Sequence, residues 1–150
     1  LLQAFGRNMG TSEIIKELES FIPTGDDATD TTRLYELTNE LKKNKDASLA
    51  CETLLSIFEK YPDAELGSPG PIVHAVESFG EMYQPLLFDS LNRKPTYMTL
   101  WMFNRIINAE KDDAVRGKYI QQMKEYADHP NADDFAKEEA LEYYKYQTEE

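Results

Sequence analysis

Apolar residues recur every three or four positions along nearly the whole chain from Thr11 onward, which is the spacing of one face of an α-helix. Prolines, glycines and capping residues separate these stretches, as is typical of helix ends. A strand is the alternative for Tyr97 to Phe103, but this stretch lacks the alternation of a half-buried strand. The pattern therefore predicts an all-α protein with about eight short helices.

The boundaries of the predicted helices follow from their caps and prolines. They begin, in chain order, after Thr11 or Ser12, after Asp30 or Thr31, after Asp46, at Pro71, near Tyr83, at Tyr97, at Asp112 and at Ala132. Each has one apolar face that we expect to be buried. Leu49 is assigned to the inward face of the third helix, and Phe135 and Leu141 to that of the eighth.

Short loops between short helices favour antiparallel pairs stacked side by side. No strict repeat length is visible, so the predicted architecture is an α-solenoid of the HEAT-like kind or an irregular helical bundle. A chain of 150 residues is of a size for one core. We expect a single helical domain over residues 1–150, with residues 1–10 a tag or a disordered segment.

Acidic residues dominate the charge: 28 Asp and Glu against 16 Lys and Arg leave a formal net charge of −12. This sign disfavours direct binding to nucleic acid or to a membrane surface, because both present negative charge. The sequence lacks an apolar run of the roughly 20 residues that span a bilayer, and its single cysteine excludes a disulfide framework within the chain. We expect a cytoplasmic protein.

Few residues could carry catalysis or hold a metal. His74 and Glu77 lie three residues apart, a spacing that holds a metal only with ligands from other helices, and a solvated polar face is the favoured interpretation. Cys51 has no histidine nearby in sequence, which indicates a buried side chain more than a nucleophile. His129 lies in a turn, where a local hydrogen bond is expected. We therefore expect no enzymatic activity, no metal and no cofactor.

Positive charge is missing from the middle of the chain. No lysine or arginine occurs from Tyr61 to Asn92, although five acidic residues do. A surface with one sign of charge attracts a partner of the opposite sign in a salt-dependent manner, while solubility is the alternative reason for such a surface. The candidate partner-binding residues are Asp63, Glu65, His74, Glu77, Glu81 and Asp89.

Three stretches of the chain carry a resemblance to a known class of proteins. They are Gly67 to Glu77, with the sequence GSPGPIVHAVE; Ser90 to Thr96, with the sequence SLNRKPT; and Trp101 to Asn108, with the sequence WMFNRIIN. Together they resemble small helical immunity proteins of bacterial contact-dependent-inhibition and polymorphic-toxin systems. The resemblance implies a HEAT-like helical protein that binds and neutralises the toxin of its own cell. It implies no individual binding residue, because such proteins diverge at those positions.

The charge pattern and the resemblance lead to the same expectation. Toxins of these systems are often nucleases with basic substrate channels, so the expected function is stoichiometric inhibition of a basic nuclease toxin through an acidic surface. The alternative is a helical-repeat scaffold or adaptor that binds an endogenous protein or peptide in a concave groove. The toxin's identity, the epitope and the oligomeric state stay open.

Overall fold

The computed structural model describes residues 8–149, and over this range the chain is all-helical, with eight α-helices and no strand. The helices are α1 (Thr11–Glu19), α2 (Asp27–Leu41), α3 (Cys51–Lys60), α4 (Pro71–Ser78), α5 (Tyr83–Arg93), α6 (Tyr97–Ala109), α7 (Asp113–Tyr126) and α8 (Asp134–Thr148). Two short 3-10 turns, Ala47–Ala50 and Gly80–Met82, precede α3 and α5. The predicted all-α class is confirmed, and Tyr97 to Phe103 is helical.

The chain divides into two compact units, the first ending at Leu86 and the second beginning at Leu87. The single-domain assignment for residues 1–150 stays a prediction. So does the assignment of residues 1–10 to a tag or disordered segment, of which residues 1–7 lie outside the described residues. Met9 is buried, and its carbonyl accepts a hydrogen bond of 3.0 Å from the Asn44 amide.

The core of the first unit is formed by the apolar stripes of α1 to α4. Helix α1 packs on α2 and α3, and α4 packs on the same two helices. The large, fully buried side chains are Ile14, Leu18, Leu34, Leu37, Leu41, Leu54, Leu55, Ile57 and Ile72. These are largely the positions that helical periodicity predicts, because a helix with one apolar face is stable only when that face is covered.

Leu49 is a correction to the predicted inward faces, since it is 67% exposed. It lies in the 3-10 turn, where side chains three residues apart share a face. Ala47 and Ala50 occupy the buried face of this turn, so Leu49 points to solvent.

The start of α2 is also corrected. Asp26, not Asp30 or Thr31, is the N-cap, and its carboxylate accepts a 2.9 Å hydrogen bond from the Thr29 amide. Asp30 is instead buried and accepts hydrogen bonds from the Thr24 amide and hydroxyl, both 2.9 Å, and from the Gly25 amide at 3.3 Å. A carboxylate that accepts several donors compensates for its burial, and here it holds the α1–α2 loop on the first turn of α2.

The second unit is built around Phe103 on α6, a fully buried residue. Its ring makes edge contacts with Phe88, Tyr119 and Tyr126, at centroid separations of 5.6 to 5.8 Å. Such edge-to-face pairs add a directional contribution to the burial of apolar area. Six residues of α6 are buried, in keeping with its largely apolar sequence.

The turn between α7 and α8 holds the end of α5. His129 Nδ1 accepts a hydrogen bond from the Asn131 amide at 3.0 Å, so the proton of the neutral ring is on Nε2, which donates to the Asn92 carbonyl at 2.7 Å. The Asn131 side chain donates to the Arg93 carbonyl at 2.8 Å. Carbonyls in the last turn of a helix have no partner within the helix, so these bonds complete α5. The local role expected for His129 is confirmed.

Helix α8 is rotated relative to the prediction. Phe135 is 54% exposed and Leu141 is 42% exposed, whereas Ala136, Ala140 and Gln147 are buried. Small alanines let α8 approach α6 and α7, the helices on which it packs, and the bulkier Phe135 and Leu141, each adjacent to an alanine in sequence, point away from that face.

A polar network completes the inward face of α8. The Gln147 amide donates to the side-chain oxygens of Asn104 and Asn108, at 2.8 and 2.7 Å, and its oxygen accepts from Arg116 at 2.5 Å. Asn104 and Asn108 interrupt the apolar sequence of α6, and the network satisfies them.

Within residues 8–149, no helix has the length and apolar character that a membrane span needs.

We predict that Asp30→Ala lowers the free energy of unfolding by about 1–3 kcal/mol, because it leaves the hydrogen-bond donors of Thr24 and Gly25 without their acceptor. Asp27→Ala is the matched control. Asp27 is exposed on the same helical turn and contributes through the helix dipole alone, less than about 1 kcal/mol. Urea unfolding followed by circular dichroism measures both, and equal losses would contradict the assigned role of Asp30.

Candidate partner-binding surface

The loop between α3 and α4 presents two of the predicted acidic residues. Leu66 is buried and anchors the middle of the loop, while Asp63 and Glu65 are exposed. The chain then closes tightly on itself, because Gly67 and Gly70 both have positive φ angles, of 111° and 89°. A Cβ atom on Gly70 would lie 2.1 Å from the carbonyl oxygen of Leu66. The glycines therefore permit the close approach of backbone atoms between Leu66 and Gly70.

Helix α4 starts at Pro71, as predicted, and presents His74 to solvent. Burial of Ile72, Val73 and Val76 determines this orientation, since His74 is on the opposite side of the helix. The Tyr35 hydroxyl on α2 lies 3.3 Å from His74 Nδ1 and pairs with it. The solvated interpretation of His74 is thus confirmed.

The remaining predicted residues are distributed over both units. Glu77, on α4, is half-buried and has an interaction partner, and Glu81 is exposed on the 3-10 turn that follows. Asp89 is exposed on the part of α5 that belongs to the second unit. The first unit therefore carries five of the six candidates.

Four of these acidic residues are exposed and have no cationic partner among residues 8–149. Within residues 8–149, no lysine, arginine or histidine forms an ion pair with Asp63, Glu65, Glu81 or Asp89. Ion pairs elsewhere in the first unit include Arg33 with Glu17 and Lys43 with Glu40. Exposed carboxylates without a local cation produce a negative potential that accelerates encounter with a cationic partner.

Cys51 has the environment of a structural side chain. It is fully buried at the start of α3, and burial, reinforced by the charge of Glu52, raises the pKa of the thiol to about 11. Because the thiolate is the nucleophilic form, this thiol is unreactive at neutral pH. The buried position predicted for Cys51 is confirmed.

A second acidic surface, on α8, was missed by sequence reasoning. Phe135 and Tyr146 are exposed together with Glu138 and Glu142, and the spacing of these four residues places them on one side of the helix. The signal was present in the buried alanines: Ala132, Ala136 and Ala140 recur every four residues and mark the true inward face.

Burial and neighbouring charged groups raise the pKa of two side chains on α8. Partial burial raises the pKa of Glu139, and repulsion from Glu142 and Glu138 raises it further. Burial also raises the pKa of Tyr143 to about 12, with Glu139 and Tyr97 contributing. In both cases the surroundings disfavour additional negative charge, as expected where several carboxylates lie close together.

Comparisons with protein-family models, with curated proteins and with solved structures found no match to this chain. The resemblance to immunity proteins stays a prediction. Function is assigned from the chemistry of surface residues, since fold alone does not imply it.

We predict that Gly70→Ala lowers the free energy of unfolding by about 2–4 kcal/mol, through the positive φ angle and the clash with the Leu66 carbonyl. The control is Gly117→Ala on α7, where a Cβ meets open space and alanine stabilises the helix by about 0.5–1 kcal/mol. Thermal unfolding distinguishes the two, and a Gly70 variant as stable as wild type would contradict the described loop.

We predict slow modification of Cys51 by a disulfide reagent at about pH 8 in the folded protein. The thiolate fraction is about a hundredfold below that of a thiol with the ordinary pKa, and burial adds to the protection. Absorbance of the released thiol measures the rate, with the same chain in guanidinium as the control. Comparable rates in the two conditions would show that Cys51 is accessible.

Proposed function

We propose that the protein is a cytoplasmic immunity protein that binds its cognate bacterial toxin and neutralises it by covering a cationic surface. The observation that carries the proposal is the exposure of Asp63, Glu65 and Glu81 without an ion pair. These residues belong to a segment, Tyr61 to Asn92, that contains no lysine or arginine. Every side chain with a formal charge in this segment is negative, so each one attracts a positively charged partner.

A nuclease is the class of toxin that this charge fits best. An enzyme that binds nucleic acid presents lysines and arginines to phosphates, and an acidic protein can occupy that surface in place of its substrate. The net charge of −12 acts at long range, and the exposed carboxylates act at contact distance. Both contributions weaken as salt increases, because exposed charges are screened.

The side chains that could have suggested catalysis have structural partners. Cys51 is buried with a raised pKa, His129 completes the end of α5, and His74 pairs with Tyr35. These positions favour a binding role for the surface over a reactive one.

Co-expression with the toxin gene adjacent to the gene for this chain tests the proposal directly. We expect the chain to restore growth of cells that produce the toxin and to co-purify with the toxin as a stoichiometric complex. Cell death at an unchanged rate, with no complex recovered, would refute the proposal. Recovery of a complex with a metabolic enzyme and without protection would support the adaptor function instead and refute inhibition.

We predict that Glu65→Lys combined with Glu81→Lys slows association with that toxin by about tenfold or more at low salt and reduces the salt dependence of the rate. Both glutamates are exposed, so the fold should be unaffected. The control combines Glu52→Lys and Glu125→Lys, exposed residues on α3 and α7, which changes the net charge equally. Stopped-flow mixing measures the rates, and equal slowing by both pairs would place the epitope elsewhere.

A further inference from the structure

The exposed side of α8 combines two aromatic rings with carboxylates. Phe135, Glu138, Glu142 and Tyr146, which we call the α8 face, succeed one another at intervals of three or four residues. With a rise of about 1.5 Å per residue, the two rings are about 16 Å apart along the helix axis, and the glutamates lie between them. Phe135 is 54% exposed and Tyr146 is 65% exposed, so neither ring is part of the buried core.

A ring from α6 extends this surface. Tyr97 is 37% exposed and stacks on Phe135, with 5.3 Å between ring centroids and 26° between ring planes. The stacked pair holds the Phe135 ring in place, so that a ligand would meet a preorganised aromatic platform. Preorganisation lowers the ordering cost of binding.

The carboxylates of the α8 face are not neutralised by the lysines of the same helix. In the described part of the chain, neither Lys137 nor Lys145 forms an ion pair with Glu138 or Glu142. Burial raises the pKa of the neighbouring Glu139, and repulsion from these two glutamates raises it further. The face therefore offers negative charge beside exposed π systems, a combination that suits a planar cation.

We propose that the α8 face binds an arginine-bearing segment of a protein partner, with guanidinium groups stacked on Phe135 and Tyr146 and paired with Glu138 and Glu142. Arginine fits better than lysine because its planar group stacks on a ring and forms two parallel hydrogen bonds to a carboxylate. The inference deepens the proposed function, on which it rests, by naming a contact surface and the chemistry of the partner segment.

A fluorescent hexa-arginine peptide serves as the probe for the full chain, with hexa-lysine for comparison. We expect hexa-arginine to bind more tightly in anisotropy titrations at low salt. Phe135→Leu combined with Tyr146→Leu should weaken hexa-arginine binding about fivefold or more, because leucine keeps apolar area and removes the π face. Leu141→Ala, at an exposed apolar residue on another side of α8, should leave binding unchanged.

The carboxylates are tested by a charge-matched pair of variants. Glu138→Gln with Glu142→Gln should weaken hexa-arginine binding more than Glu52→Gln with Glu125→Gln, although both remove two charges. Equal binding of the two peptides, an unchanged affinity of the leucine variant or equal effects of the two glutamine pairs would each overturn the inference.

The outcomes also separate this inference from the proposed function. If the leucine variant loses peptide binding and the wild-type chain gives no protection in co-expression, the α8 site is supported and immunity is refuted. If the chain protects cells in co-expression but the leucine substitutions leave peptide affinity unchanged, immunity is supported and the α8 site is refuted.

Discussion

Burial of one apolar stripe per helix is the constraint on which the rest of this structure depends. The single cysteine is a buried free thiol, so helix packing stabilises the described chain without a disulfide. Since each stripe faces inward, most of the carboxylates must face outward, where hydration supports their charge. Asp30 and Glu40 are exceptions: Asp30 is buried and accepts hydrogen bonds from the loop that it organises, and Glu40 is buried and pairs with Lys43. The acidic surface is thus a direct consequence of how the core forms.

Polar side chains inside the two units act as connectors between elements. Asp30 holds the α1–α2 loop, His129 and Asn131 complete α5, and Gln147 satisfies the asparagines of α6. The first two connections satisfy backbone groups at a loop and at a helix end, and the third satisfies side-chain amides on α6. Residues that resemble reactive groups in the sequence are used in this way for structure, which leaves the charged and aromatic surface as the part of the molecule available for binding.

The candidate site was predictable in part. Asp63, Glu65 and Glu81 were chosen because they lie in a cation-free stretch of sequence, and all three are exposed. The α8 face was not found, because periodicity was counted from Phe135 and Leu141 and not from the alanines. Size is a poor guide to burial where helices approach closely, since a close approach requires small residues at the contact. The inward assignment of Leu49 was wrong for a related reason, because side chains share a face every three residues in a 3-10 turn.

The sequence by itself determined the helical class, most helix starts and the excess of negative charge, because these depend on local spacing, caps and composition. Only the tertiary structure decided which side of α8 is covered, which polar residues are consumed by connections and which carboxylates stay without a cation. Those properties depend on contacts between residues far apart in the chain, such as Gln147 with Asn104, and no local pattern encodes such contacts. The exposed rings of Phe135 and Tyr146 are the clearest result of that long-range decision.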